Sequence, residues 1–260
     1  MRLEFVGKAQ ALSAEGFASC VQSLSVKAPE IWAVLAVETS GCGFLPDRRP
    51  QILFERHVFH RLTGGRFDDG DISDPTPGGY GSSGTHQYDR LSRAIAKDRT
   101  AALQSASWGL GQILGENCAI AGFADVETMV AAMSDSEDAQ LQAVCAFIKH
   151  SKLDVFMQAH DWASFARKYN GPGYAKNQYD VHLRDEYAKY SAGALPNLDV
   201  RAAQLYLTFC GYHPGPIDGS SGTNTRAAIA DFQGKQGLPK TGEVDDTLLA
   251  RLAEAAQSLD

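Results

Sequence analysis

Residues 33–46 read AVLAVETSGCGFLP, and the one acidic residue in that stretch, Glu38, decides how the rest of the chain is read. Ile31, Trp32, Val34, Leu35 and Val37 precede it. The run is apolar on every side, so 28–39 predicts a buried helix, with Pro29 suited to its first turn. A turn-rich segment, Gly41–Pro50, follows at once. A carboxylate in this place is either a surface residue on a helix end or an acid whose chemistry needs partial burial.

Working outward, residues 14–24 predict a second helix. QILFERHVF, 51–59, carries Ile52, Phe54, Val58 and Phe59 and predicts a short strand. The longest irregular stretch, Thr63 to Tyr88, is Gly-rich, and a loop of that length inside a compact domain is usually functional. Helical patterning resumes over Asp89–Leu103. It is expected to continue through SWGLGQILGENC (107–118), 125–151 and DWASFARKY (161–169) to the turn NGPGY and a last helix over 177–193. A boundary falls in SAGALPNLD, 191–199, which is small, polar and Pro-containing. The division is therefore a domain over 1–192 and a module over 198–260, the latter of three short helices separated by Gly/Pro turns. The expected fold is mainly α with a small β element.

The totals exclude several classes of function. With 260 residues, 44% hydrophobic and 21% charged, the chain reads as a globular protein of one large domain plus a small module. No apolar run approaches the ~18 residues of a membrane span, so no membrane insertion is expected. Glu4, Lys8 and Glu15 interrupt the region where a secretory signal would have its apolar core. A net charge of -7 argues against nucleic acid as a partner. The five cysteines form no CxxC and no His/Cys cluster, so structural zinc and a disulfide scaffold are both unsupported. His57 and His60 are spaced H-x-x-H without a third ligand. No metal and no cofactor is expected.

The tail GYHPGPIDGSSGTNTRAAIADFQGKQGLPKTGEVDDTLLARL resembles the family of small three-helix peptidoglycan-binding domains. The resemblance rests on Gly211, Tyr212, Gly215, Ile217, Asp218, Gly219, Gly222, Thr225, Ala228, Phe232, Gln233, Gly237, Leu238, Gly242 and Leu252. Gly215, Gly219 and Gly222 punctuate a tightly turning loop, Thr225 or Asn224 is placed to cap the next helix, and Ala228, Ile229 and Phe232 share a core face. Tyr212, Asp218 and Thr225 are the candidate cell-wall-binding residues.

Three motifs in the large domain fall in order: Glu38 with Thr39 and Ser40, then SWGLGQI with Ser107 and Gln112, then YNGPGY with Tyr169 and Asn170. This order resembles the lysozyme-like superfamily, nearest to goose-type lysozymes and lytic transglycosylases. The longer run 36–64 with SASWGLGQILG resembles phage and prophage N-acetylmuramidases of the modular endolysin type. The resemblance implies a lysozyme-like α+β domain that cleaves between N-acetylmuramic acid and N-acetylglucosamine in bacterial peptidoglycan. It also implies a monomer held in the host cytoplasm until a separate holin-type membrane protein gives access to the wall.

Cleaving a glycosidic bond requires a proton for the departing oxygen, from an acid still protonated near neutral pH. Burial and the negative end of a helix both raise a carboxyl pKa, which fits Glu38 as general acid. The second carboxylate stays open. Asp47 lies nine residues on, but Leu53 stands where the phage-type pattern has Thr. Glu55 is the alternative, bracing Glu38, activating water or serving structure alone, and a mechanism with Glu38 as the one essential carboxylate is the third. Ser107, Gln112, Tyr169 and Asn170 are expected to line the cleft, with Tyr169 hydrogen-bonding Glu38. Tyr80 and Tyr88 are expected to stack on sugars, and Trp108 to pack in the core. The alternatives are a lytic transglycosylase making a 1,6-anhydro product, or an inactive wall-binding protein.

Overall fold

Several helices begin at a side-chain cap. Ser13 accepts a hydrogen bond from the Gly16 amide and starts α1, Ala14–Leu24. Helix α2 spans Ala28–Thr39, and Ile31 to Leu35 are all buried, so it runs through the core. Both helices keep the bounds that the periodicity predicts. The computed structural model describes residues 3–39, 42–67, 69–171 and 173–259. Ser40 and Gly41 of the turn after Glu38, and Pro172 of YNGPG, therefore lie outside the described residues.

Strand β1 is Ile52–Phe54, and helix α3, Arg56–Leu62, follows with only Glu55 between. The strand expected over 51–59 is thus cut short. Val58 and Phe59 are core residues of a helix turn, and Glu55 sits at its N-cap position. The irregular stretch ends at Gly84, where α4, Thr85–Ile95, begins. Helix α5, Arg99–Gln104, is capped by Asp98.

The helix expected over 107–118 is a hairpin instead. Strand β2, Ala106–Trp108, pairs antiparallel with β1 (Ile52 opposite Trp108) and with β3, Ile113–Leu114 (Trp108 opposite Ile113). Gly109 (φ 67°) and Gln112 (φ 50°) place two left-handed residues in one short connection, which a helix does not tolerate. Trp108 is fully buried and its indole donates to the Leu103 carbonyl, a packing role as expected.

A single-turn 3-10 helix, Gly115–Asn117, leads to α6, Val126–Asp135, and α7, Glu137–His150. Ser136 ends one and caps the other. Helices α8 (Asp154–Gln158) and α9 (Trp162–Tyr169) lead through a short 3-10 turn to α10, Tyr179–Ala192. Helix α10 packs along α2 and α9. Cys20 of α1 and Cys145 of α7 form a disulfide. Sequence reasoning missed it because the partners are 125 positions apart and no local spacing marks them.

Helices α11 (Leu198–Phe209), α12 (Thr223–Lys235) and α13 (Asp246–Gln257) form the C-terminal module. Ala203, Leu207, Ala228, Ile229, Phe232, Leu248 and Leu252 are its core. A further cluster crosses to the large domain: Leu205, Phe209 and Ala256 pack on Ala9, Cys42 and Phe44. No helix among the described residues is long and apolar enough by itself to cross a membrane.

Candidate active site

Glu38 is placed by the last turn of α2, and that turn is anchored from below. The Thr39 hydroxyl donates to the Leu110 carbonyl (2.9 Å), in the β2–β3 connection. The Leu110 amide donates to Gln140 Oε1 (2.8 Å), and Gln140 Nε2 donates to the Met133 carbonyl (2.8 Å), so α7 holds the same connection. Glycine is required for this approach. A Cβ on Gly111 would lie 2.1 Å from Val144 Cγ2, and one on Gly109 2.6 Å from Gln140 Cδ. The SWGLGQI motif is therefore a hairpin tip lodged between α2 and α7.

Above the tip lies a cleft of about 410 Å³ lined by Glu38, Glu55, Ser107, Gln112, Asn117, Lys168, Tyr169 and Asn170. All three sequence motifs meet there. Burial pushes the Glu38 carboxyl up to about 7, against a hydrogen bond from Asn170 that favours the ionised form. Asn170 Nδ2 donates to Glu38 Oε1 at 3.0 Å, and Asn170 Oδ1 is buried without a partner among the described residues.

Glu55 reaches the same cleft because its N-cap position makes no side-chain cap bond. Burial raises its pKa, while His57, the Tyr80 hydroxyl and Arg90 favour its charged form. His57 Nδ1 lies 3.2 Å from Glu55 Oε2. Tyr80 arrives there through two buried residues of α4. Gln87 Nε2 and Arg90 Nη1 donate to the Tyr80 carbonyl (2.7 and 2.9 Å), while Gln87 Oε1 and Arg90 Nη1 also bind the backbone of Phe54, next to Glu55. Glu55 pushes the Tyr80 hydroxyl pKa up, after burial itself.

Several expectations are corrected by this geometry. Tyr88 is 4% exposed and its hydroxyl donates to the Pro50 carbonyl, so it is a core residue and cannot stack on a sugar. Tyr169 lines the cleft, but its hydroxyl donates to the Gly111 carbonyl (2.8 Å) and does not serve as the hydrogen-bond partner of Glu38. Asn170 takes that role. The Gln112 amide nitrogen closes the hairpin turn on the Gly109 carbonyl (2.8 Å). Asp47 pairs with Arg49 within its own turn and is not part of the cleft lining.

In the module, Thr225 is 2% exposed, lies inside α12 and donates to the Pro214 carbonyl. Gly222 holds the cap position, so Thr225 neither caps the helix nor is open to a wall polymer. Asp218 is exposed and accepts bonds from Gln204 Nε2 and the Ser220 amide. Tyr212 packs edge-on against Phe232 and lines a groove of about 460 Å³ with His213, Asn224, Asp231 and Lys235.

Asn117, Lys168 and Phe147 join the cleft lining without any motif that marks them. Tyr179, the first residue of α10, is close enough to Glu38 for that carboxylate to raise its pKa, second to burial. No cluster of His, Cys, Asp and Glu among the described residues has the arrangement of a metal site. His60 contacts Ser73 Oγ (3.2 Å) rather than completing H-x-x-H.

A buried acid on a helix end, sharing one cleft with a second carboxylate and with residues of a short sheet, defines a lysozyme-like hydrolase domain. The family profile of N-acetylmuramidases matches residues 27–191, and that of a peptidoglycan binding domain matches 196–252. The crystal structure of the endolysin of Burkholderia AP3 phage is similar, with TM-score 0.64 and 35% identity, covering 70% of this chain and 72% of that one. The chain belongs to the N-acetylmuramidase family. A curated relative, localization factor PodJL of Caulobacter vibrioides, is 45% identical over 67 residues, in two strains. That match covers 26% of this chain and only 7% of the relative's length.

Proposed function

We propose that this chain is a peptidoglycan hydrolase of the endolysin type, cleaving between N-acetylmuramic acid and N-acetylglucosamine, with Glu38 as general acid. The observation that carries the reading is a buried carboxyl, its pKa raised to about 7, in a cleft of about 410 Å³ that it shares with Glu55 and Asn170. At neutral pH a large share of Glu38 keeps its proton. It gives that proton to the glycosidic oxygen as the bond from that oxygen to the anomeric carbon breaks. Glu55 takes a proton from the attacking water, whose oxygen bonds to the anomeric carbon. Exchange with solvent then resets both carboxyls.

The presence of Glu55 in the cleft supports hydrolysis over transglycosylation, because water has a base beside it. Asn170, Ser107, Gln112 and Tyr80 are the assigned sugar contacts. A single chain carries both carboxylates, so a monomer suffices. The module holds the enzyme at the wall and raises the local concentration of substrate. Tyr212 is its assigned contact. Asp218 shapes the loop beside it. An endolysin of this kind resides in the host cytoplasm and depends on a separate holin-type membrane protein to reach the wall.

Mass spectrometry of digested, purified peptidoglycan tests the reaction. Hydrolysis gives fragments with a hydrated N-acetylmuramic acid reducing end. Products lighter by one water, as 1,6-anhydro sugars, would replace hydrolysis with transglycosylation.

A further inference from the structure

The module touches the catalytic domain through a buried charge pair. Arg201 of α11 is 1% exposed and Glu137, the first residue of α7, is 0% exposed. The guanidinium donates to both carboxylate oxygens, Nη1 to Oε2 (2.5 Å) and Nη2 to Oε1 (2.7 Å). Glu137 spends its remaining acceptor capacity on backbone. Oε2 accepts from the Leu12 amide (2.9 Å), and Oε1 accepts from the Gly43 amide (2.9 Å).

Gly43 is tied to the helix of Glu38 through its neighbour Cys42, whose amide donates to the Thr39 carbonyl (3.3 Å). Gly43 has no room for a side chain: a Cβ there would lie 1.8 Å from Gln140 Oε1. Its carbonyl accepts from the Gln51 amide (2.8 Å), and Gln51 leads into β1 and Glu55. One turn of α7 thus holds both structures that frame the cleft, Glu137 through Gly43 and Gln140 through Leu110. On either side of Gly43, Cys42 and Phe44 are packed against Leu205 and Phe209 of the module. The Phe44 and Phe209 rings meet edge to face at 6.3 Å. Without the guanidinium, a carboxylate buried this deeply loses its paired charge and two of its hydrogen bonds.

We infer that Arg201 is a positioning residue for catalysis, setting the Gly43 segment and so the end of Glu38's helix, and that the module serves bond cleavage as well as wall attachment. This inference rests on the proposed glycosidase reading. Tethering alone needs a flexible linker and predicts no effect on a substrate that the module does not have to hold. Positioning predicts an effect on every substrate.

The test uses the full chain and soluble, uncrosslinked peptidoglycan strands, with kcat, KM and the pH profile measured for wild type, Arg201→Met and Arg201→Lys. The expected result is a kcat at least tenfold lower for Arg201→Met, a KM within twofold of wild type, and an alkaline limb moved to lower pH as water enters around Glu38. Arg201→Lys is expected to recover part of the kcat. Pull-down on insoluble walls is expected to be unchanged. Should Arg201→Met fail to fold, Arg201→Lys keeps the charge and decides alone, with a kcat at least threefold lower expected. Wild-type kcat and pH profile in a folded variant would overturn the inference while leaving the glycosidase reading intact. No cleavage by the wild type would overturn both.

Discussion

Asn170 Nδ2 donates to Glu38 Oε1 at 3.0 Å, joining the turn after α9 to the last turn of α2 across 132 positions of sequence. The bond fixes the rotamer of the carboxyl and opposes, without cancelling, the effect of burial on its pKa. Replacing Asn170 with Ala removes a hydrogen bond that favours the ionised form. The alkaline limb of the pH–rate profile should therefore move upward from about 7, with kcat lower by roughly 10–100-fold for lost orientation. A limb that stays in place would separate Asn170 from the titration of Glu38.

Burial of Glu38 should also cost stability. The carboxyl ionises near 4.5 in the unfolded chain and about 7 in the folded one. Between those values the folded state binds more protons, so stability falls as pH rises through that window. The difference amounts to about 3 kcal/mol above it at most. Glu38→Gln keeps the oxygen that Asn170 binds and has nothing to ionise. Urea melts should find it more stable than wild type by about 1–3 kcal/mol at pH 8 and no more stable at pH 4. Equal stability at both would contradict the burial argument.

Tyr80→Phe should move the other limb. The Tyr80 hydroxyl bond favours the charged form of Glu55, so its loss raises the Glu55 pKa further. If Glu55 acts as the base, the acid limb of the profile shifts to higher pH, while the alkaline limb does not change. An unmoved acid limb would remove Glu55 from the water-activating role.

Gly111→Ala should damage the hairpin tip. The new Cβ meets Val144 at 2.1 Å and the Tyr169 hydroxyl at 3.1 Å, both in packed surroundings. A loss of about 1–3 kcal/mol is expected from overpacking, together with lowered activity, since Thr39 is anchored on the same tip. Thermal melts and lysis rates on one preparation check both. Unchanged melting would show that the tip gives way freely.

Reduction of Cys20–Cys145 should lower stability by about 2–5 kcal/mol, because the bridge closes a long loop of the unfolded chain. The comparison is a thermal melt with and without a thiol reductant. No change in midpoint would contradict it.

Much of this was legible in sequence where the signal is local. The apolar run before Glu38 gave α2 its bounds, and the ordered motifs around Glu38, Gln112 and Asn170 do meet in one cleft. What failed was long-range or depended on side-chain direction. The hairpin at 106–114 looks helical in sequence because its strands are only two or three residues long and helical patterning flanks them. Tyr88 and Thr225 sit on helices whose inward face no motif reveals, and both turn inward. Cys20 with Cys145, Tyr80 with Glu55, and Arg201 with Glu137 are pairs that only the folded chain brings together.

The most direct test of the account is the cleavage rate of Glu38→Gln on purified peptidoglycan, measured as release of reducing ends beside wild type, with folding of the variant verified by its melt. Loss of the general acid predicts a kcat lower by roughly 10²–10⁴-fold with wall binding retained. A folded Glu38→Gln that clears walls at the wild-type rate would contradict it.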